Sequence, residues 1–362
     1  MATTAIPAPQ TGPPPEPRIA ISFGGAGSGG SAADDRKLVA CVLGVSIDRT
    51  VDQADHLAMR LAAWDPDTGK VAWLDDARLA AGAALAVQLG YGESLGPVFD
   101  GDIVGVGVEL HAGEPAVMTV DAYNRIHRLG RNRPPPAKKP KQNATYGELV
   151  TEIAQRYGLT AKIDGDADKK KPTVVQQNES DLAFLRSLAR EIGYILYVDG
   201  SELVFRKDVP GAGAALTIPA TELVEFTGHL DPSSQVGVIS GSGFDHNNNK
   251  KFVQDPVKNP DSFDRAFGNQ DAEVAHQFDV TSKEQLKERL DAALVDVRNS
   301  YLSATATCFG RTDVQLGMLI KLTGIASRFD GECTVTGVTH SFSQAAGFRT
   351  RLTLKGMKGS RP

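Results

Sequence analysis

The residues whose spacing best fits known chemistry are the glycines at positions 25–30. The run Gly25-Ala26-Gly27-Ser28-Gly29-Gly30 has the pattern GxGxxG and follows a short apolar segment that is predicted to be a strand. In dinucleotide-binding proteins such glycines lead into a helix whose N-terminus faces the pyrophosphate. Here they lead into residues 31–37 and then a β-rich run, with no long amphipathic helix. The pattern therefore favours a flexible hairpin tip, and we expect no cofactor.

The histidines and carboxylates lack the spacing of a metal or acid–base site. No two histidines stand at i and i+4 or form an HxH pattern; the seven are His56, His111, His127, His229, His246, His276 and His340. The carboxylate pairs Asp34-Asp35 and Asp75-Asp76 lie in turn-like contexts, whereas a glycosidase needs two carboxylates across a cleft. GxSxG and HExxH patterns are absent. We therefore predict no catalytic residue, no metal site and no enzyme, and assign no partner-binding residue.

Composition and charge argue against several kinds of partner. The formal net charge is −5, which gives no overall attraction to nucleic acid or anionic lipid. No stretch approaches the roughly 20 apolar residues that span a bilayer, so direct membrane insertion is not expected. The cysteines Cys41, Cys308 and Cys333 form no CxxC pair and suit buried free thiols in a reducing compartment. Residues 1–17 contain six prolines and no apolar run, so we expect a flexible tail, no signal peptide and synthesis in the cytoplasm.

Short strands at close spacing are predicted for residues 18–130. The clearest is residues 102–110, where Val104, Val106, Val108 and Leu110 alternate with Gly105, Gly107 and Glu109. This period of two is typical of a strand, and the whole region favours a β-sandwich or β-barrel domain. Residues 131–143 follow as a linker, because three consecutive prolines forbid a helix.

A change of period predicts a small α/β module at residues 144–208. Thr145 and Glu148 form a capping box ahead of a helical apolar stripe that ends at Gly158. A second helix is predicted from Asp181 to Ile192, and Asp199-Gly200-Ser201 is a hairpin turn between two apolar runs.

Strand-like segments return in residues 209–362, which predict a second β-barrel domain. The polar stretch 243–277 is predicted to be an insertion, because a connection of that length is usually functional or disordered. A helix is predicted over 281–301, with Thr281 and Glu284 as its capping box.

Three stretches together resemble the phage late control protein D family, whose members resemble the hub of T-even phage baseplates and the base of the type VI spike protein VgrG. They are residues 98–104 with 121–129, residues 180–205, and the C-terminal run from Thr281 to Phe342. The most specific is Ser180-Asp181-Leu182-Ala183-Phe184-Leu185 with Ile192-Gly193-Tyr194 and Leu203-Val204-Phe205. The resemblance covers roughly residues 18–358 in the family's order, apart from the proline-rich tail and the 243–277 insertion.

This resemblance implies a mainly β fold with an α+β insert, formed by two tube-like β-barrel domains and the small α/β module. It also implies a structural hub of a contractile phage tail or injection system. Such a hub is a homotrimer that joins the hexameric inner tube to the trimeric spike and contacts other baseplate proteins. Its place is in the particle assembled in a bacterial cytoplasm. Since the sequence ends at Pro362, we expect a separate spike protein, docked partly through residues 359–362.

The alternative from another class is a tail-associated peptidoglycan hydrolase or a cell-wall-binding protein. Peptidoglycan cleavage or binding would distinguish it from a structural hub. Whether the particle is a phage, a tailocin or an injection system, and what cargo it carries, is left open by the sequence.

Overall fold

The structure, a computed structural model, is mainly β, and it describes residues 16–24, 32–65, 67–134, 141–163, 170–174, 176, 178–207, 214–245, 248–259, 273–280 and 282–356. The predicted class, mainly β with an α/β insert, is confirmed. The glycine run at 25–30, much of the proline-rich tail and linker, and residues 359–362 lie outside the described residues.

The N-terminal part of the chain supplies six strands of one large sheet, in the order β1-β6-β7-β8-β3-β2. Its elements are β1 (Pro17–Phe23), α1 (Ala32–Ala40), β2 (Val42–Thr50), β3 (His56–Ala62), β4 (Trp64–Asp65), β5 (Lys70–Val71), a 3-10 turn (Ala77–Leu79), β6 (Ala84–Tyr91), β7 (Ser94–Glu109), β8 (Val117–Asn124) and α2 (Ile126–Arg131). Alternation sets the inner face: Leu57, Met59 and Leu61 of β3 are fully buried. We call these six strands the first half-sheet.

The small α/β module comes next, and its predicted local signals are confirmed. Its elements are β9 (Lys141–Thr145), α3 (Tyr146–Arg156), β10 (Thr160–Ile163), β11 (Lys170–Val174), α4 (Asp181–Glu191), β12 (Tyr194–Asp199) and β13 (Glu202–Lys207). Thr145 and Glu148 form the capping box of α3, and Asp199 pairs with Glu202 across the predicted hairpin turn. Gly193 ends α4 at a φ of +67°, where a Cβ would lie only 3.1 Å from Ala292.

The C-terminal part adds six more strands to the same large sheet. Its elements are β14 (Leu216–Pro219), a 3-10 turn (Ala220–Glu222), β15 (Leu223–Leu230), a 3-10 turn (Pro232–Ser234), β16 (Val238–Asp245), β17 (Lys250–Lys258), β18 (Glu273–Asp279), α5 (Lys283–Asn299), β19 (Leu302–Phe309), β20 (Leu319–Thr323), β21 (Gly331–Ser343) and β22 (Gly347–Gly356). We call β14, β20, β21, β22, β19 and β15 the second half-sheet.

The two half-sheets are joined by hydrogen bonds through the long strand β21. Residues 331–334 of β21 pair with β20, and residues 337–343 pair with β2 of the first half-sheet. Each half-sheet has a hydrophobic cluster of its own, although Phe348 of β22 belongs to the cluster of the first. The two predicted β regions are thus halves of one continuous sheet. The predicted domain boundaries remain a prediction.

The region predicted to be a polar insertion contains strands. β17 pairs antiparallel with β16, β18 pairs parallel with β16, and α5 packs on this three-stranded sheet. Gly241 in β16 lets the helix approach, because a Cβ there would lie 2.7 Å from the Leu290 side chain. The helix α5 begins at Lys283, and its N-cap is Ser282, whose hydroxyl accepts from the Gln285 N–H at 3.2 Å. The predicted capping box at Thr281 and Glu284 is therefore wrong by one residue.

Candidate assembly surfaces

The glycine run at 25–30 is followed by a helix, contrary to the sequence-based expectation. Helix α1 spans Ala32–Ala40, and the β-rich run expected after residue 37 begins only with β2 at Val42. A dinucleotide fold also needs parallel neighbouring strands around its glycine turn. Here β1 runs antiparallel to β6, and β2 lies at the other end of the half-sheet. The described strands around this run therefore do not form a dinucleotide-binding unit.

Three histidines of the described residues, His56, His127 and His340, lie in separate elements: β3, α2 and β21. His56 Nε2 lies 3.1 Å from Asp121 Oδ1, His127 Nδ1 lies 2.8 Å from the Asn124 carbonyl oxygen, and His340 Nδ1 lies 3.1 Å from Thr350 Oγ1. Within the described ranges, no group of three or more His, Cys, Asp or Glu side chains is placed to hold a metal ion. Local hydrogen bonds therefore account for the placement of these three rings.

The carboxylate pair at Asp75-Asp76 serves a turn. Asp76 caps the 3-10 turn that follows it and forms an ion pair with Arg78 at 2.6 Å. The hydrogen bond from the Arg78 side chain lowers the pKa of Asp76. An acid–base pair needs one carboxyl group that holds a proton near neutral pH. The pKa of Asp76 is lowered instead, so this carboxyl loses its proton more readily.

Cys308 in β19 and Cys333 in β21 are buried free thiols that flank opposite ends of β22. Cys308 lies opposite Thr350, and Cys333 precedes Thr334, which lies opposite Lys355. At about 3.3 Å per residue, these positions are on the order of 17–20 Å apart, which excludes a disulfide. Burial raises the pKa of Cys308 to about 11 and that of Cys333 to about 12, so both stay protonated at neutral pH.

A buried carboxylate organises the α/β module. Asp181, the first residue of α4, is fully buried and accepts hydrogen bonds from Arg156 Nη1 at 2.9 Å and from the Tyr157 hydroxyl at 2.6 Å. The side-chain amides of Gln176 and Asn132 also donate to it, at 3.0 and 3.5 Å. We call this group the Asp181 cluster. It explains the Ser180-Asp181 motif structurally: Ser180 caps the helix, and Asp181 ties α4 to the ends of α2 and α3.

The loop between β2 and β3 attaches the module to both half-sheets. Val51 N–H donates to Thr336 of β21, and Asp52 exchanges backbone and side-chain hydrogen bonds with Leu196 of β12. Arg49 contacts the buried Asp55 at 3.0 Å and Asp199 of the module at 3.3 Å. We call Arg49, Asp55, Asn124 and Asp199 the junction cluster.

A groove of about 680 Å³ lies between the module, α5 and the second half-sheet. It is lined by charges of both signs, among them Arg190, Asp296 and Lys355. Burial raises the pKa of Asp296, while Lys355 and Arg190 oppose that rise. Because its charges are balanced, the groove selects no ligand of one sign.

Exposed apolar side chains concentrate on β7. Val104, Val106 and Val108 are each about 40% exposed, and Leu110 just beyond the strand is 63% exposed. The sequence showed the alternation of these residues. It gave no sign that the second half of β7 would lack a neighbour on one side, because that depends on where β6 ends.

Among the helices that the structure describes, none combines the length and apolar character that crossing a bilayer requires. The described elements are instead tied to one another by strand pairing and by the two polar clusters. The exposed apolar residues of β7 are a candidate functional surface among the described residues.

A family model described as the Alg8 N-terminal domain matches residues 31–344, which include both half-sheets and the module. The chain belongs to this family.

One curated relative is described as a probable baseplate hub protein of Escherichia phage 186. It is 34% identical to the chain over 151 residues, which are 40% of this chain and 36% of the relative. The match thus spans about a third of the relative's length. It bears out the resemblance to phage baseplate hub proteins that the sequence motifs indicate.

Two solved structures share the fold over most of the chain. The 43 kDa tail protein of prophage MuSo2 from Shewanella oneidensis has a TM-score of 0.70 at 14% identity, covering 93% of this chain and 98% of that one. The E. coli c3393 protein has a TM-score of 0.54 at 15% identity, covering 89% and 76%. It is described as a component of the type VI secretion system with structural similarity to T4 bacteriophage tail proteins gp27 and gp5. These likenesses establish the fold as that of phage tail and hub proteins.

Proposed function

We propose that this chain is the structural baseplate hub of a contractile phage tail or a phage-tail-like injection system. As a homotrimer it joins the hexameric inner tube to a separate trimeric spike and contacts other baseplate proteins. The fold shared with tail proteins and the similarity to a probable baseplate hub protein support this proposal.

The observation that carries the proposal is the division of the large sheet into two halves of six strands each. Three copies of such a chain present six half-sheets of equal strand number. A ring of six similar surfaces matches a sixfold tube on one side, while the threefold axis matches a spike on the other. A trimer of chains with one half-sheet each would offer only three such surfaces.

Mechanical coupling between the halves fits the same role. Strand β21 runs from β20 into the pairing with β2, and β22 follows it along most of that length. A load applied to one half-sheet therefore passes to the other through backbone hydrogen bonds. The hub acts by assembly and force transmission, and no residue serves as a catalyst. It is made in the bacterial cytoplasm and works in the assembled particle.

Co-expression with the tube and spike proteins of its own system tests this function. We expect a complex that contains the hub as a trimer of about 115 kDa, three times the 38.4 kDa chain, with three spike chains. A hub that stays monomeric and ignores both proteins would contradict the proposal. Cleavage or binding of purified peptidoglycan by that monomer would favour the hydrolase or wall-binding alternative instead.

A further inference from the structure

Among the strands that the structure describes, the second half of β7 is an open edge. β6 pairs with β7 only as far as Asp102, and the last bond on that side joins Gly82 and Ile103. From Val104 to Glu109, the described strands include a partner on the β8 side alone. A strand in this position presents unpaired backbone N–H and C=O groups along its free side.

This open edge also carries apolar side chains. A bulge at Val104 resets the register, so that Val106 lies opposite Val120 and Val108 opposite Met118. Val120 and Met118 are fully buried, whereas Val106 and Val108 are each about 40% exposed. The inner hydrophobic face of the sheet thus continues to the edge and stops there uncovered.

Two of the features that commonly protect strand edges, lysine and proline, are missing from this segment, which begins at a bulge. Lysines, prolines and very short strands prevent unwanted pairing at sheet edges. Residues 104–109 contain no lysine and no proline, and Glu109 is their one charged residue. By contrast, the edge strand β17 carries Lys250, Lys251, Lys258 and Pro256 within nine residues.

A second edge of similar character lies at the other end of the large sheet. β15 pairs with β19 on one side and is the last strand of the described order. Its eight residues include no lysine and no proline, and Val224 is 46% exposed. The remaining edges are protected: β14 has four residues and ends in Pro219, and β1 starts at Pro17, close to Gly347 of the β21–β22 turn.

We propose that the free edge of β7 pairs with β15 of a second copy of this chain. The proposal rests on the trimeric hub function, and it names the surfaces that form the trimer. Because β7 and β15 are different edges, the contact is head-to-tail, and a head-to-tail contact closes into a ring when the rotation per copy fits. Strand addition satisfies the exposed backbone groups of both edges and covers Val106, Val108 and Val224.

Lysine substitutions at exposed edge positions test this pairing. The variants are V106K/V108K on β7, V224K/T227K on β15 and, as a matched control, V253K/V274K on the exposed edge strands β17 and β18. We expect the wild type and the control to have the mass of a trimer by light scattering at high micromolar concentration. Both edge variants should have the mass of a monomer, with circular dichroism and melting temperature like those of the wild type, because the replaced side chains are already exposed.

A mixing experiment tests the head-to-tail geometry. V106K/V108K retains an intact β15, and V224K/T227K retains an intact β7. Their equimolar mixture should therefore form a one-to-one dimer of about 77 kDa, twice the chain mass, and nothing larger. A mixture that stays monomeric would overturn the pairing of these two edges.

The remaining outcomes separate this inference from the hub function. A trimer that persists in either edge variant overturns the inference and leaves the hub function standing. A wild type that trimerises with the tube and spike proteins, but stays monomeric alone at high concentration, also overturns it. A wild type that is monomeric even with those proteins contradicts the hub function itself.

Discussion

Two buried carboxylates, Asp181 in the module and Asp55 at the junction, differ in how completely their oxygens are hydrogen-bonded. Asp181 is fully buried and accepts from Arg156, the Tyr157 hydroxyl and two side-chain amides. Asp55 is also buried and contacts Arg49, but its Oδ1 atom makes no hydrogen bond of normal geometry with a described residue, and the Asn124 side chain acts on this carboxyl only through a poorer contact. The side-chain nitrogen and oxygen of Asn124, also in the junction cluster, likewise make no hydrogen bond of normal geometry with a described residue.

The difference shows how firmly each polar group fixes its surroundings. A buried network that is fully hydrogen-bonded stabilises one arrangement. In a partly satisfied network, some polar atoms lose their contact with water and gain no hydrogen bond to replace it, which is destabilising. The Asp181 cluster therefore locks the module internally. The junction cluster attaches the module to the sheet but leaves polar atoms unsatisfied, so the attachment is the weaker part. Burial accordingly raises the pKa of Asp55 to about 6, although Arg49 acts against that rise.

The largest effect should come from removing the satisfied carboxylate. Asp181→Ala leaves Arg156, Tyr157 and Gln176 without their shared acceptor, and it removes a negative charge from the first turn of α4. A buried donor left without its acceptor costs about 1–3 kcal/mol, and several donors lose theirs together here, so the sum is about 3–5 kcal/mol even though Arg156, whose side chain is 39% exposed, is solvated instead. We expect a loss of that size in the free energy of unfolding, measured by urea denaturation.

Glu202→Ala in the same module is the matched control. Glu202 pairs with Lys162 at 3.0 Å, but both side chains are largely exposed. Exposed ion pairs contribute about 0–1 kcal/mol, so this variant should unfold close to the wild type. Equal losses for the two variants would show that the burial of Asp181 does not matter.

The module shows which features could be predicted from the sequence. The capping box at Thr145 and the hairpin turn at Gly200 involve residues near one another in the chain, so local patterns predict them. The partners of Asp181 could not be predicted: Asn132 and Arg156 lie 49 and 25 residues away along the chain. The motif at Ser180-Asp181 marked the position without revealing its contacts.

The large sheet shows why other features could not be predicted. The strands at the C-terminus are evident from their alternation, but the pairing of β21 with β2 joins segments almost 300 residues apart. β17 and β18 were missed because they are polar and mostly exposed edge strands in a region rich in asparagine and proline. Open strand edges depend on where neighbouring strands stop, which is a property of the tertiary structure.

The junction should show its electrostatic imbalance in the pH dependence of stability. The raised pKa of Asp55 means that the folded state binds its proton more readily between pH 3.8 and about 6, so this group favours folding as pH falls. Nearby, burial and Arg49 lower the pKa of His340 from 6.5 to about 3. The unfolded state binds that proton more readily, so His340 weakens folding as pH falls.

Asp55→Asn should therefore remove the group that favours folding at lower pH and leave the destabilising effect of His340 unopposed. We expect the variant to lose stability relative to the wild type by about 1 kcal/mol per pH unit as pH falls from 6 to 4. His340→Gln should change the slope in the opposite direction. The measurement is the free energy of unfolding in urea at several pH values, and the slope is compared because both variants also alter local contacts. Parallel pH profiles for wild type and Asp55→Asn would contradict the raised pKa of Asp55.

The smallest effect should come from the unsatisfied amide itself. Asn124→Leu removes two buried polar atoms that make no hydrogen bond of normal geometry with a described residue, so the interaction lost is the weak side-chain contact that lowers the pKa of Asp55. Gln176→Leu is the matched replacement in the Asp181 cluster, and it removes a 3.0 Å hydrogen bond to a buried carboxylate. We expect a change of less than about 1 kcal/mol for Asn124→Leu and a loss of about 1–3 kcal/mol for Gln176→Leu in urea denaturation. The reverse order would mean that Asn124, rather than Gln176, belongs to the better satisfied cluster.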